Sequence, residues 1–308
     1  MAVDTLTGTP PASAPSPGAA PRPRPIRRSS WSSWSSRAVV NTVLVIVAVY
    51  TLMPLSWLVV NATKGNGDLF GSPGFRLGDF NLFANIADLF AYHDGVFGRW
   101  LANSLLYSVI GALASTLISL LAGFAFATYS FPGREKVYGL VLLGILVPPT
   151  VISLPMYLLA SEAGLVNTYW AVLIPSLVNP FGVYLARVFT EAYVPHETLE
   201  AARMDGAGEF RALRSVALPM LSPAFVTIFL FTFTASWNNF FLPLVMLNDS
   251  SLYPVGLGLF SWNAVLPQEP QLYALVVTGS LLSVVPLAVA FLTLQRHWRS
   301  GLTAGAVK

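Results

Sequence analysis

The sequence predicts an all-α integral membrane protein with six transmembrane helices. Hydrophobic residues make up 55% of its 308 residues and charged residues only 10%, whereas a soluble domain carries about 25% charged residues. Six apolar runs are each long enough to cross the hydrocarbon core of a bilayer as a helix, which takes about 20 residues. All charged residues lie outside these runs, in the loops and the two tails, which is typical of a polytopic membrane protein.

The six predicted spans contain no Asp, Glu, Lys, Arg or His. They cover residues 38–60, 102–130, 137–160, 166–186, 218–247 and 272–295. Residues 8–36, ahead of the first span, are rich in Pro, Ala, Ser and Arg, so we expect residues 1–37 to form a disordered tail. A cleaved signal peptide is the alternative, but its apolar core would be about 7–15 residues long, shorter than the run at 38–60.

The distribution of basic residues predicts the orientation, because cytoplasmic loops are enriched in Lys and Arg. With the N-terminus in the cytoplasm, 14 of the 17 basic residues lie inside, and only Lys64, Arg76 and Arg99 lie outside. The same count places both termini, 301–308 included, and the loop 187–217 in the cytoplasm, and the loop 61–100 outside. We therefore predict a multi-pass protein of the cell membrane, in contact with lipid.

Several functions have no support in the composition. The chain has no cysteine, and its three histidines are far apart in sequence, so we expect no metal site. A net charge of +3, spread over short loops and tails, does not indicate nucleic-acid binding. ATP binding through a phosphate-binding loop requires a Gly-Lys pair, yet Thr63, Glu135 and Val307 precede the three lysines. We predict no enzymatic activity and no cofactor bound by this chain.

Proline recurs inside the spans, for example at Pro148, Pro155 and Pro286. Each interior proline frees a backbone carbonyl, which a membrane tolerates only where neighbours or a water-filled cavity satisfy it. A transport pathway explains this pattern, and a kinked bundle without a pathway is the alternative. Small residues such as Gly111 and Ser115 have the spacing of close helix packing.

The cytoplasmic segment before the fifth span predicts a helix, a turn and a second helix. Pro195 suits the first helical position, and Gly206 can adopt the left-handed conformation that ends a helix. The second helix is predicted from Glu209 to Val216. From the residues alone, this segment is either an amphipathic hairpin at the membrane surface or a docking surface.

The segment also resembles a known motif. The run Glu200-Ala201-Ala202, three residues, Gly206, nine residues, Val216, one residue and Leu218-Pro219 resembles the EAA motif of binding-protein-dependent ABC importer permeases. Val216 stands where the family often has isoleucine. The stretch from Gly164 to Trp170 and the C-terminal tail from Gly301 resemble the carbohydrate, or MalG-like, branch. The resemblance covers roughly residues 100–308.

The resemblance implies a type I ABC importer (MetI-like) permease fold and no catalytic residue. It implies that Glu200, Ala201, Ala202, Asp205 and Gly206 couple to an ATPase homodimer, which binds the ATP and Mg, and that Gly301, Leu302 and Thr303 reach the same partner. It further implies a second, MalF-like permease, an extracytoplasmic solute-binding protein and a sugar as the solute.

Two other kinds of function stay open from the residues. An ion-coupled secondary transporter would work without an ATPase, although such proteins commonly carry intramembrane carboxylates or histidines. A membrane scaffold would transport nothing.

Two further clusters are less specific. Trp237, Asn238 and Asn239 mix an aromatic ring with amides and could line a sugar pathway, or they could pack between helices near the membrane interface. In the outer loop, apolar residues recur at helical spacing, which predicts an interfacial helix or part of a docking surface for the binding protein; these residues are Leu82, Phe83, Ile86, Leu89 and Phe90.

Overall fold

The computed structural model describes the backbone of residues 30–303 and the side chains of residues 37–295. Within these ranges the chain consists of helices and connecting turns, without a β-strand. The helices are α1 (Ser30–Ala62), α2 (Asn66–Gly71), α3 (Leu82–Ala91), α4 (Val96–Thr128), α5 (Arg134–Leu146), α6 (Pro149–Glu162), α7 (Tyr169–Ser176), α8 (Pro180–Tyr193), α9 (His196–Met204), α10 (Glu209–Ala212), α11 (Leu218–Met220), α12 (Ser222–Trp237), α13 (Phe241–Met246), α14 (Val255–Ala264) and α15 (Leu272–Thr303).

The apolar helices agree with the predicted all-α membrane fold. Among the described residues, four helical segments are long and apolar enough to cross a membrane, namely 37–62, 82–128, 169–193 and 272–295. Two bent helix pairs, 134–162 and 209–237, raise the number to six if each pair crosses once. The described part of the chain forms two compact units that divide within α1, between Leu52 and Met53.

Three predicted spans are interrupted by residues that are not helical. The helices α5 and α6 meet at 104°, because Val147 and Pro148 are extended and a proline disfavours helix in the residue before it. The predicted span 218–247 bends by 73° at Leu221, and α12 ends at Trp237, ahead of the short helix α13.

The fourth predicted span, 166–186, is also broken and displaced. It begins at Tyr169, stops at Ser176 and resumes at Pro180, the first residue of α8. The side chain of Asn179 accepts a hydrogen bond from the amide of Gly182 at 2.8 Å and so caps α8. Because the amphipathic helix α8 continues to Tyr193, its last two turns extend beyond the predicted membrane boundary.

Both ends of the chain differ from the predicted boundaries. The helix α1 begins at Ser30, inside the predicted tail 1–37, and residues 1–29 lie outside the described part. The helix α15 continues through Gly301, Leu302 and Thr303, which were expected to begin a separate tail. Residues 304–308 lie outside the described part as well.

The helix α4 forms the centre of the second unit and packs most closely on α8. A Cβ atom on Gly123 would collide with the Cβ of Ala186, and one on Gly182 would lie 2.6 Å from the Ser119 hydroxyl. Nearer the other end, a Cβ on Gly111 would lie 2.8 Å from the hydroxyl of Ser176 in α7. Small residues therefore allow the backbones to approach, as predicted for Gly111.

The outer loop forms the predicted amphipathic helix, α3. Leu89 is completely buried, whereas Phe83 is 76% exposed. The helix packs against α15 and α4. One face of α3 is therefore part of the fold, and the other face remains available.

Candidate functional site

The helix α9 is anchored to the membrane helices by its apolar side. Leu199 is 2% exposed and lies in a cluster with Leu120 and Phe124 of α4 and Ile228 of α12. Ala202 packs against the same cluster. The amphipathic pattern of the segment thus folds its apolar side inward and leaves its other side exposed.

Gly206 ends α9 in the left-handed conformation that the sequence predicts. Its φ is +82°, its amide donates to the carbonyl of Arg203 at 3.0 Å, and the amide of Ala207 donates to the carbonyl of Ala202 at 2.9 Å. This pair of bonds is the Schellman motif, in which glycine adopts positive φ without steric cost. Pro195 is the N-cap of α9, whereas the sequence predicts it as the first residue of the helix.

The second helix of the segment is longer than the predicted Glu209–Val216. It starts at Glu209, passes through a π-helical turn at Leu213–Ala217 and reaches Met220. The segment is therefore a helix, a turn and a helix that leads into α12, as the sequence indicates.

A hydrogen-bonded ion pair closes the loop between the two helices. The guanidinium of Arg203 donates to both carboxylate oxygens of Glu209, at 2.8 and 3.1 Å. The hydroxyl of Tyr129, just after α4, donates to the same carboxylate at 2.7 Å. The bonds to Glu209 raise the pKa of the Arg203 guanidinium above its usual value. Sequence analysis missed this cluster, because Tyr129 and Glu209 are distant in sequence.

The outward surface of the loop combines charge with large apolar side chains. Glu200, Ala201 and Asp205 are exposed. Met204 is 88% exposed and Phe210 is 74% exposed, although both stand in a charged segment. Exposed apolar groups of this size in a polar loop are typical of a protein-binding surface. The sequence carried this signal, but the motif itself does not include these two residues.

A second charged cluster lies where α5 and α8 meet. The guanidinium of Arg187 donates to the carboxylate of Glu135 at 3.1 and 3.2 Å and to Glu191 at 2.9 Å. It also lies over the ring of Tyr138, 4.2 Å from the centroid. Arg134 joins Glu135 to the end of α4 through the carbonyl of Tyr129.

The three candidate pathway residues point to different places. Trp237 is 8% exposed and packs in a core cluster with Phe233 and Trp262. Asn238 lines a cavity of about 700 Å³ between α12 and α15. Asn239 lines a different cavity of about 570 Å³, bordered by α5, α6 and α13. The structure thus separates residues that are consecutive in sequence.

The remaining candidates are only partly described. Gly301, Leu302 and Thr303 belong to the last turn of α15, but their side chains lie outside the described residues. Among the residues that the structure describes, no group of three or more His, Cys, Asp or Glu is placed to hold a metal ion.

The sequence and the fold match those of known transport proteins. Residues 115–303 match the family described as "Binding-protein-dependent transport system inner membrane component". A crystal structure of a bacterial ABC transporter involved in the import of the acidic polysaccharide alginate contains a similar chain, with a TM-score of 0.74 and 24% identity over 86% of this chain and 97% of that one. That similarity extends to the fold.

Curated relatives include several sugar permeases. The arabinooligosaccharides transport system permease protein AraQ of Halalkalibacterium halodurans is 33% identical over 70% of this chain and 75% of its own length. The lactose transport system permease protein LacG of Rhizobium radiobacter is 29% identical over 88% of this chain and 96% of its own length. The diacetylchitobiose uptake system permease protein NgcG of Streptomyces coelicolor is 26% identical over 88% of this chain and 89% of its own length.

These matches favour the importer over an ion-coupled transporter and over a scaffold. Importers of this family work with an ATPase and a solute-binding protein, and the permease itself is not an enzyme. The chain belongs to the family of binding-protein-dependent transport system inner membrane components and is a permease subunit of an ABC importer.

Proposed function

We propose that this permease carries a sugar inward and that the loop from His196 to Phe210 couples its movement to ATP hydrolysis by a partner. The observation that carries this proposal is the exposed surface of the loop, where Met204 and Phe210 present apolar side chains beside Glu200 and Asp205. Such a surface suits a cleft of the ATPase, because a few side chains buried in pockets of the partner carry most of the affinity in protein interfaces.

The structure suggests how movement would be transmitted. Leu199 and Ala202 fix the inner side of α9 to a cluster that includes α4 and α12. The loop would therefore move together with these membrane helices as one body when the ATPase dimer closes. Rotation of this body against a second permease would give alternating access.

A saccharide is the solute that the relatives favour, since three of them are permeases for arabinooligosaccharides, lactose and diacetylchitobiose. The positions of the basic residues support cytoplasmic termini and a cytoplasmic coupling loop. In this arrangement a MalF-like permease completes the pathway, and the residues from Gly301 onward approach the ATPase. ATP and Mg are held by the ATPase homodimer.

Co-purification of the ATPase tests the coupling loop. In the double variant Met204→Ser, Phe210→Ser, we expect the amount of ATPase that co-purifies per permease to fall by about tenfold or more, because two apolar side chains disappear from the interface. Membrane insertion should not change, since both side chains are exposed. Phe75→Ser is the matched control, as Phe75 is 52% exposed in the predicted outer loop.

Two results would contradict the proposal. One is full retention of the ATPase by the double variant, which would place the interface elsewhere. The other is saccharide uptake by this chain in proteoliposomes that contain an ion gradient and no ATPase, because that would establish an ion-coupled transporter.

A further inference from the structure

We propose that the cavity beside Asn239 forms part of the solute pathway and accepts an uncharged saccharide, to which the Asn239 amide donates a hydrogen bond. This inference rests on the proposed sugar transport and specifies which of the two cavities serves it. The cavity measures about 570 Å³, within the range of about 300–1,000 Å³ that is typical of small-molecule sites.

Three interrupted membrane spans meet at this cavity. Its lining includes Val147 and Pro149 at the break between α5 and α6, and Val178 and Pro180 at the break between α7 and α8. Asn239 lies at the third break, between α12 and α13. The ends of five helices, α5, α6, α7, α8 and α13, therefore border one space, together with Asn239 from the link between α12 and α13.

Helix ends bring polar backbone groups to a place where the surrounding side chains are apolar. The last carbonyls and the first amides of a helix have no partner within that helix. At membrane depth such ends are tolerated only where they are buried in protein or line a water-filled cavity. In secondary transporters, which are a different class, discontinuous helices commonly form the solute site. The convergence of three breaks is consequently a functional feature of this cavity.

The side chains of the lining have the chemistry of a neutral polyol site. None of the lining residues is charged, and the polar ones are Thr150, Ser153, Ser176 and Asn239. Phe241 and Leu242 supply apolar surface, which suits the C–H faces of a sugar ring. An anionic saccharide would lose its hydration here without meeting a cation, which is costly. The cavity therefore favours neutral over acidic saccharides.

Asn239 has hydrogen-bonding capacity to offer. Its carbonyl oxygen lies 3.4 Å from the amide of Leu242, a long contact. Its amide NH₂ donates no hydrogen bond to any residue that the structure describes, and the side chain is partly exposed. Two donors are thus available toward the cavity.

Asn238 provides a matched comparison because it has the same side chain at the adjacent position. It lines the cavity between α12 and α15, where the neighbours are mostly apolar, and its NH₂ donates to the carbonyl of Thr234 at 2.9 Å. Both asparagines lie between α12 and α13, yet only Asn239 lines the cavity at which the three breaks meet.

Single cysteines can test the pathway, because the chain has no native cysteine. The experiment uses the complete importer in proteoliposomes and a positively charged, membrane-impermeant methanethiosulfonate reagent. We expect Asn239→Cys to react during ATP turnover, and its reaction to slow at least about fivefold while lactose, raffinose or an arabinooligosaccharide is being transported. Asn238→Cys should show no saccharide protection. Galacturonate oligomers should protect neither site.

Transport by the alanine variants gives a second measurement. Asn239→Ala should lower the rate of saccharide uptake by about tenfold, which corresponds to one lost hydrogen bond to the solute. Asn238→Ala should remain within about twofold of the wild type, since its bond is local. If Asn239→Cys fails to assemble, Thr150→Cys in α6 reports on the same cavity and should show the same protection.

The outcomes separate this inference from the proposed function. If the wild type binds the ATPase and imports saccharide but the variants at positions 238 and 239 behave alike, the cavity assignment is wrong and the proposed function stands. If no saccharide is imported with any binding protein, the proposed function itself fails. Protection by galacturonate oligomers would overturn the inferred selectivity for neutral saccharides.

Discussion

The hydroxyl of Tyr129 donates a hydrogen bond of 2.7 Å to the carboxylate of Glu209, 80 residues further along the chain. The same carboxylate accepts two hydrogen bonds from the guanidinium of Arg203. One bond therefore joins the end of α4 to the turn that presents the coupling surface, and it positions that turn relative to the membrane helices.

The first prediction concerns this bond. Tyr129→Phe removes the hydroxyl and leaves the ring in place, so Glu209 keeps Arg203 as its partner but loses its link to α4. We expect amide exchange in residues 203–209 to become about fivefold faster, which corresponds to about 1 kcal/mol for a hydrogen bond. Hydrogen exchange read by mass spectrometry measures this.

Tyr157→Phe serves as the control for that variant, because the Tyr157 side chain packs in a cluster with Ala171 and Val172. It should leave exchange in the loop unchanged. Equal exchange rates in Tyr129→Phe and the wild type would show that the bond does not hold the turn.

The second prediction concerns Arg187, which joins α5 to α8. Arg187→Lys keeps the charge but loses the planar fork that binds Glu135 and Glu191, and the stacking on Tyr138. We expect the apparent Tm of the purified importer to fall by several degrees. Arg211→Lys, at an exposed position of α10, should leave the Tm within about one degree. An unchanged Tm in Arg187→Lys would contradict this role.

The third prediction concerns the contact between α4 and α8. Gly123→Ala places a methyl group against the Cβ of Ala186 and 2.6 Å from the amide nitrogen of Arg187, so the helices must separate. We expect a loss of about 1–3 kcal/mol in stability, detected as a lower Tm in detergent.

Gly139→Ala is the matched control for that substitution. A Cβ on Gly139 meets nothing within 4 Å, and the residue lies inside α5. Alanine is the better helix former, so the variant should be neutral or slightly more stable. If Gly123→Ala and Gly139→Ala have the same Tm, the close approach of the helices at Gly123 does not contribute to stability.

The fourth prediction concerns Asn167, which has a φ of +61° in the loop before α7. Its side-chain carbonyl accepts from the amides of Asn248 and Asp249 at 2.9 and 2.8 Å. Asn167→Gly loses these bonds but keeps the backbone conformation, whereas Asn167→Ala loses the bonds and adds strain of about 1–2 kcal/mol. Thermal unfolding should therefore rank wild type, then glycine, then alanine. If Asn167→Ala unfolds at the same temperature as Asn167→Gly or at a higher one, the backbone at this position is not strained.

The interrupted spans show where reasoning from sequence reached its limit. Hydropathy located the apolar segments, although not their ends, because the apolar character of a segment depends on its composition. The prolines predicted kinks, but a proline can cause either a slight kink or a break as sharp as the 104° angle between α5 and α6. Whether a helix resumes in line or turns away depends on the neighbours that receive its free backbone groups.

The sequence by itself determined the membrane class, the positions of the apolar segments, the turn at Gly206 and the resemblance of the coupling motif. These are local properties, set by side-chain polarity, by the φ that glycine permits and by residue spacing. Only the tertiary structure decided that Tyr129 meets Glu209, that Met204 and Phe210 face outward, and that Asn238 and Asn239 line different cavities. Each of these depends on how distant helices pack, because the direction of a side chain at a helix break is fixed by its neighbours in space.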